Sequence, residues 1–127
     1  MTQPNYDKTE RLTVAQAVVR FIAAQYTIAD GVKRRFIPAS MGIFGHGNVA
    51  GLGQALDQYS DLLPFVQGRN EQGLVHAAVG FAKASNRTQT LAVTASIGPG
   101  AMNMVTAAAL ATVNHIPVLL LPGDSYT

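Results

Sequence analysis

Three short stretches of the sequence carry residue types that can do chemistry at a ligand. The first is Gly45-His46-Gly47-Asn48-Val49-Ala50, a G-x-G-x-x-A pattern. Between a strand and a helix, such a turn brings the backbone close to a phosphate, which the free N–H groups of the helix N-terminus attract. A dinucleotide site also needs an acid at the end of the second strand to hold the ribose. Gln67 and Gly68 stand there instead, and the nearest acid, Glu71, comes after the turn. Two readings stay open for the pattern: one wall of a cofactor site, or glycines that make a tight turn.

The second stretch is GRNEQGLVHAAVGFAK, which holds Glu71, one of two glutamates in the chain. A single carboxylate at the start of a helix can exchange a proton with a ligand. It can equally be there to complement the helix dipole. The third stretch is TASIGPGAMNM, with Gly98-Pro99-Gly100 followed by Asn103. Glycines let a backbone approach a flat ligand closely, and proline stiffens the wall. Among the histidines, His46 sits inside the first glycine turn, whereas the helical patterns put His76 in mid-helix and His115 at a helix C-terminus. No spacing of His, Asp and Glu reads as a metal site. The serines lack a nucleophile-elbow context.

Elements must place these residues together. Thr13 and Gln16 form a capping-box pattern, and Val14, Ala17, Val18, Phe21 and Ile22 follow with helical spacing. Asp30-Gly31 marks a turn, and 27–38 reads as a loop. One unit then repeats: a strand over 41–44, a helix from Asn48 to about Tyr59, a strand over 63–66, and a helix over 71–85 capped by Asn70. Its apolar face is Leu74, Ala77, Ala78, Phe81 and Ala82. A strand over 90–95, a helix over 101–114 and a strand over 117–121 complete the pattern. Alternating strands and helices predict a single α/β domain: a three-layer arrangement with a parallel sheet and helices on both faces. Ligands in such sheets bind beyond the carboxyl ends of the strands, the edge to which all three glycine turns belong.

Composition narrows the function classes. The chain has 127 residues, 48% hydrophobic and 13% charged, with a net charge of +2 and no cysteine. That balance gives no electrostatic footprint for nucleic acid, and it removes disulfides and thiolate chemistry. Residues 1–12 read as a polar lead-in without an apolar signal core, and no apolar run reaches membrane-spanning length. A cytoplasmic protein is expected. Between Arg87 and Asp124 no residue is charged, so the helix over 101–114 is expected to lie against a partner domain or subunit.

Together and in this order, the three turns resemble the pyrimidine-binding domain of thiamine-diphosphate enzymes of the acetolactate synthase and pyruvate decarboxylase superfamily. The resemblance covers about residues 12–124, with the domain expected over 13–127. It rests on Arg69, Glu71-Gln72-Gly73, His76-Ala77-Ala78 and Gly80-Phe81-Ala82, then Gly98-Pro99-Gly100 and Asn103. It implies that Glu71 hydrogen-bonds the ring nitrogen of the aminopyrimidine and favours the imino tautomer, which takes the C2 proton of the thiazolium. The carboxyl would work in dry, apolar surroundings. Gly45, Gly47, Asn48, Gly98, Pro99, Gly100 and Asn103 would contact the cofactor, and His46 with Asn48 would face the reacting carbonyl.

Acetolactate synthases usually carry a proline-containing turn after the first strand and a histidine before the glutamate; this chain has FGHGNV and Asn70. The stretches GIFGHGNVAGLGQAL, GRNEQG and NHIPVLLLPGD are similar to a branch that hydrolyses a C–C bond of a cyclic 1,2-dione in inositol catabolism. The alternatives are a 2-oxo-acid decarboxylase or carboligase, and a non-catalytic nucleotide-binding module. Family members hold the diphosphate and Mg²⁺ through a GDG…N motif in a second catalytic domain. By the resemblance, this chain is then the N-terminal part of a homo-oligomeric enzyme and inactive alone. Its site would be completed by a domain from a partner subunit.

Overall fold

The first helix starts where its capping box predicts. Gln16 N–H donates to Thr13 Oγ1 at 3.2 Å, and Thr13 N–H donates to Gln16 Oε1 at 2.8 Å, opening α1 (Val14–Ala23). The computed structural model describes residues 9–124. Residues 1–8 of the expected lead-in and 125–127 of the expected domain lie outside the described residues.

The stretch expected as a loop over 27–38 is instead a hairpin, β1 (Tyr26–Ala29) and β2 (Val32–Arg35), paired antiparallel. Asp30 and Gly31 both take positive φ, 51° and 74°, as a two-residue primed turn requires. Thr27 Oγ1 donates to Thr88 O at 2.7 Å, which ties the hairpin to the segment before the third sheet strand.

The remaining strands form one parallel sheet: β3 (Ser40–Gly42), β4 (Phe65–Gln67), β5 (Ala92–Ala95) and β6 (Leu119–Pro122), in spatial order β4-β3-β5-β6. Helices α1 and α2 (Gln54–Gln58) cover one face with Val19, Ile22, Ala55 and Leu56. Helices α3 (Glu71–Ala84) and α5 (Val105–Val113) cover the other with Val75, Ala78 and Ala107. Strand β5 serves both, sending Ala92 to the first core and Val93 and Ala95 to the second. This is the expected three-layer α/β domain. No helix among the described residues is long and apolar enough to cross a membrane.

Three helical expectations need correction. In α1 the buried residues are Val19, Ile22 and Ala23, while Val14 is 83% and Phe21 67% exposed. The helix is apolar on more than one stripe, so periodicity alone does not fix which stripe faces the sheet. Helix α3 is rotated likewise: Val75, Ala78, Val79 and Ala82 are buried and Ala77 is exposed. The helix expected over 101–114 starts earlier, at Pro99, as α4 (Pro99–Asn103). It tightens at Met104, whose N–H bonds Ala101 O at 3.1 Å, before α5 begins. Its buried side is Met104, Ala107 and Ala111; Met102, Val105 and Val113 are exposed.

The segment after β3 also differs. Asn48 does not cap an α-helix: its backbone is already helical, and a π-helical stretch, Val49–Gly53, precedes α2.

Candidate active site

The strand order fixes where a ligand can enter. The chain leaves β3 for β4 on one side and leaves β5 for β6 on the other. Their carboxyl ends therefore diverge, and the crevice between them is the topological switch point. Glycine makes the approach of these strands possible. A Cβ on Gly42 would stand 2.3 Å from Thr94 Cγ2, and one on Gly45 would stand 2.3 Å from Ser96 Cβ.

Glu71 is the first residue of α3. Asn70 caps that helix, its Oδ1 accepting from Gly73 N–H at 2.8 Å, so the carboxylate stands at the positive end of the helix dipole. It is half-buried. Asn103 Nδ2 donates to Glu71 Oε2 at 2.8 Å. A Cβ on Gly100 would lie 3.2 Å from Glu71 Oε1 and 2.3 Å from Ser96 Oγ. Glu71, Gly100 and Asn103, distant in sequence, thus meet at one place. The third turn reaches them because Gly98 adopts φ 58° and ψ −118°, a glycine conformation, and delivers Pro99 to the first position of α4.

Ser96 was not singled out from the sequence. It joins the first turn to the third, touching the positions of both Gly45 and Gly100. The signal for it is its place directly after β5, on the ligand edge.

The first turn is placed less directly. Gly47 has φ 86° and packs against Asp124 O and Ile97. His46 is exposed, and no hydrogen bond links it to Glu71 among the described residues. Asn48, expected to face a ligand beside His46, is turned inward. Its Nδ2 lies 2.9 Å from Thr94 Oγ1, 2.9 Å from Ala95 O and 3.2 Å from Leu121 O. Two of these acceptors are carbonyls, so the amide nitrogen must face them. Asn48 therefore ties the first turn to β5 and β6. Asn48→Ala should lower stability by about 0.5–1.5 kcal/mol through the lost hydrogen bonds, since Ala95 O keeps the N–H of Gly123 and Leu121 O keeps the hydroxyl of Thr94. Asn48→Asp should lower it further, because a carboxylate oxygen then faces the carbonyl oxygens of Ala95 and Leu121. Urea unfolding of the variants measures both, and equal midpoints for Asp and wild type would remove this role.

Two clefts, of about 520 and 660 Å³, flank α1, and neither includes Glu71, Gly100 or Asn103. A third, of about 360 Å³, lies on the first turn between Gly45, His46, Gly47, Val49 and Ala50. Glu71, Gly100 and Asn103 line none of these three clefts and are all half-buried. Among the described residues no group of His, Cys, Asp and Glu is arranged to hold a metal ion. The Glu10–Arg20 ion pair, at 2.6 Å, belongs to α1 and its approach. The hydrogen bond and charge of Glu10 raise the guanidinium pKa of Arg20.

Glu71 Oε2 is held by Asn103, and Oε1 lies beside the backbone of Gly100. Comparison with known proteins supplies a family. Residues 13–127 match the family described as thiamine pyrophosphate enzyme, N-terminal TPP binding domain. The chain is 58% identical over 119 residues to a 3D-(3,5/4)-trihydroxycyclohexane-1,2-dione hydrolase of Clostridium botulinum. It is 58% identical over 118 residues to that of Geobacillus thermodenitrificans, and 54% identical over 120 residues to that of Clostridium tetani. These matches cover 93–94% of this chain but only 18–19% of the relatives' length.

Proposed function

Because the chain belongs to the thiamine pyrophosphate enzymes, as their N-terminal TPP-binding domain, we propose that it supplies the pyrimidine-activating half of the site of a C–C hydrolase. The substrate class in this reading is a cyclic 1,2-dione, met in inositol catabolism. The observation that carries the reading is Glu71 itself: a carboxylate with one oxygen held by Asn103 and the other beside Gly100, at the switch-point edge.

The residues present fit an aminopyrimidine. At Gly45 and Gly100 a Cβ would collide with Ser96, so glycine at both positions lets the first and third turns close on Ser96 and brings the third turn's backbone beside Glu71 Oε1, where a ring nitrogen can meet the carboxyl. Thiamine diphosphate, when bound, supplies a nucleophilic carbon able to add to a carbonyl. Glu71 holds and returns a proton at the pyrimidine nitrogen through Oε1. Gly98, Pro99 and Gly100 form the wall beside it, and Gly47 keeps the first turn open. His46, exposed on that turn, offers its imidazole to the substrate carbonyl and orients it for attack. Asn48 supports His46 from beneath. Hydrolysis then opens the dione ring to an open-chain acid.

In this reading Mg²⁺ and the diphosphate belong to a second catalytic domain, for which the greater length of the relatives leaves room. A partner subunit of a homo-oligomer supplies it and covers the exposed apolar side of α4 and α5. That cover would also dry the surroundings of Glu71. The enzyme works in the cytoplasm.

The test incubates the complete polypeptide that carries this chain, loaded with thiamine diphosphate and Mg²⁺, with 3D-(3,5/4)-trihydroxycyclohexane-1,2-dione or with pyruvate. The expected result is consumption of the dione to one open-chain acid, with no carbon dioxide released from pyruvate. Turnover of pyruvate alone would give the chain to a decarboxylase or carboligase instead.

A further inference from the structure

We infer that Asn103 is the positioning residue for Glu71: its amide N–H holds one carboxylate oxygen, so that a single oxygen is presented to the ligand. The inference rests on Glu71 being the proton-sharing group proposed above.

Asn103 Nδ2 donates to Glu71 Oε2 at 2.8 Å, across 32 positions of sequence. A carboxylate has no hydrogen to give, so the amide nitrogen must face it. The last torsion of a glutamate is a broad, roughly two-fold well; a fixed donor on one oxygen narrows it. The other oxygen, Oε1, then lies beside Gly100, where a Cβ would stand 3.2 Å away and crowd the approach.

The fold holds Asn103 firmly enough for this work. It is the last residue of α4, which packs against α3. The next residue, Met104, is 2% exposed and anchored in the core shared by β5 and α3. Rotation of the Asn103 amide away from Glu71 is therefore not accompanied by any easy backbone movement. A carboxyl that must meet a ring nitrogen at hydrogen-bond distance gains from such an orienting partner, since a misplacement of about 1 Å can cost roughly 10²-fold in rate.

The test uses the complete polypeptide with thiamine diphosphate and Mg²⁺. Asn103→Leu keeps the volume and removes the donor. Asn103→Asp keeps the shape and sets a second carboxylate against the first, and such a pair must share a proton or separate. Deuterium exchange at the cofactor C2 should slow by roughly 10- to 100-fold in both, while calorimetry finds cofactor affinity retained. In the Asp variant the exchange rate should also depend on pH differently from wild type, recovering as the two carboxyls come to share a proton. Should the Leu variant fail to fold, the near-isosteric Asp variant decides. Wild-type exchange with a wild-type pH profile overturns the inference. So does a loss of affinity matching the loss of exchange, which would make Asn103 a cofactor contact only. Glu71→Gln is measured alongside. If it exchanges at the wild-type rate, the reading of Glu71 falls; if it is silent while the Asn103 variants are not, only the present inference falls.

Discussion

Glu71→Gln should slow C2 exchange of bound thiamine diphosphate by ~10²–10⁴-fold, the usual contribution of a positioned acid–base group, while the fold survives. The hydrogen-bond pattern makes the substitution sharper than its shape suggests. Asn103 presents a donor at 2.8 Å, so the new amide must turn its oxygen to Asn103 and its NH₂ to the ligand. That NH₂ can still donate a hydrogen bond to a ring nitrogen, but it cannot pass a proton across. If Glu71 served only the dipole of α3, its loss would cost about 0.3–1 kcal/mol of stability and leave exchange untouched. Exchange followed by NMR, with thermal unfolding of the same samples, separates the two.

The largest effect on stability should come from Gly42→Ala. The new Cβ would meet Thr94 Cγ2 at 2.3 Å and Thr94 O at 2.6 Å. Thr94 is 2% exposed, donates to Leu121 O at 2.8 Å, and its carbonyl accepts from Ile43 N–H. Neither contact can move aside without parting β3 from β5. Overpacking of this kind typically costs ~1–3 kcal/mol, occasionally more, and a backbone carbonyl at the centre of the sheet puts this site at the upper end. Gly80→Ala is the matched control. Its Cβ would meet nothing within 4 Å on the exposed side of α3, so it should add about 0.5–1 kcal/mol of stability. Urea midpoints moving in the same direction for both would refute the steric account.

The parts of the site that sequence made legible are those where one residue type has one cause. Asn70 as a cap and Glu71 at the first helical position each follow from backbone rules local to a few residues; the helix start at Pro99 is not legible in the same way, because Gly98-Pro99-Gly100 reads equally as a turn. The hairpin escapes a reading of 27–38 as a loop because its second strand, Val32–Arg35, is mostly basic: Lys33, Arg34 and Arg35. The cue was Asp30-Gly31 between stretches holding Tyr26, Thr27, Ile28 and Val32. The hairpin's anchorage to the domain is by hydrogen bonds, from Thr27 to Thr88 O and from Gln89 to Arg35 O, which no apolar alternation announces. The stripe errors in α1 and α3 have another origin: Ala and Val occur on several sides of each helix, so burial is decided by where the sheet lies. Asn48 shows the limit most clearly. Its partners Thr94, Ala95 and Leu121 are 46, 47 and 73 positions away, and no local pattern announces them.

The parallel order of the sheet also sets a timetable. The hairpin pairs Ala29 with Val32 and needs only a two-residue turn, an event of roughly microseconds. Strands β3 and β5 pair Ser40 with Ala92, 52 positions apart, and a closure of that length costs entropy before any contact rewards it. The crevice lies between those two strands. A chain that has built its hairpin and helices already carries Glu71 at the head of α3, yet Ser96 and Gly100 have not come together beside it. During refolding, pulse-labelled amides of β1 and β2 should be protected before those of β3 and β5; simultaneous protection would contradict this order. The working edge is therefore assembled late and as a unit, and a variant that slows the central pairing delays the whole site rather than weakening part of it.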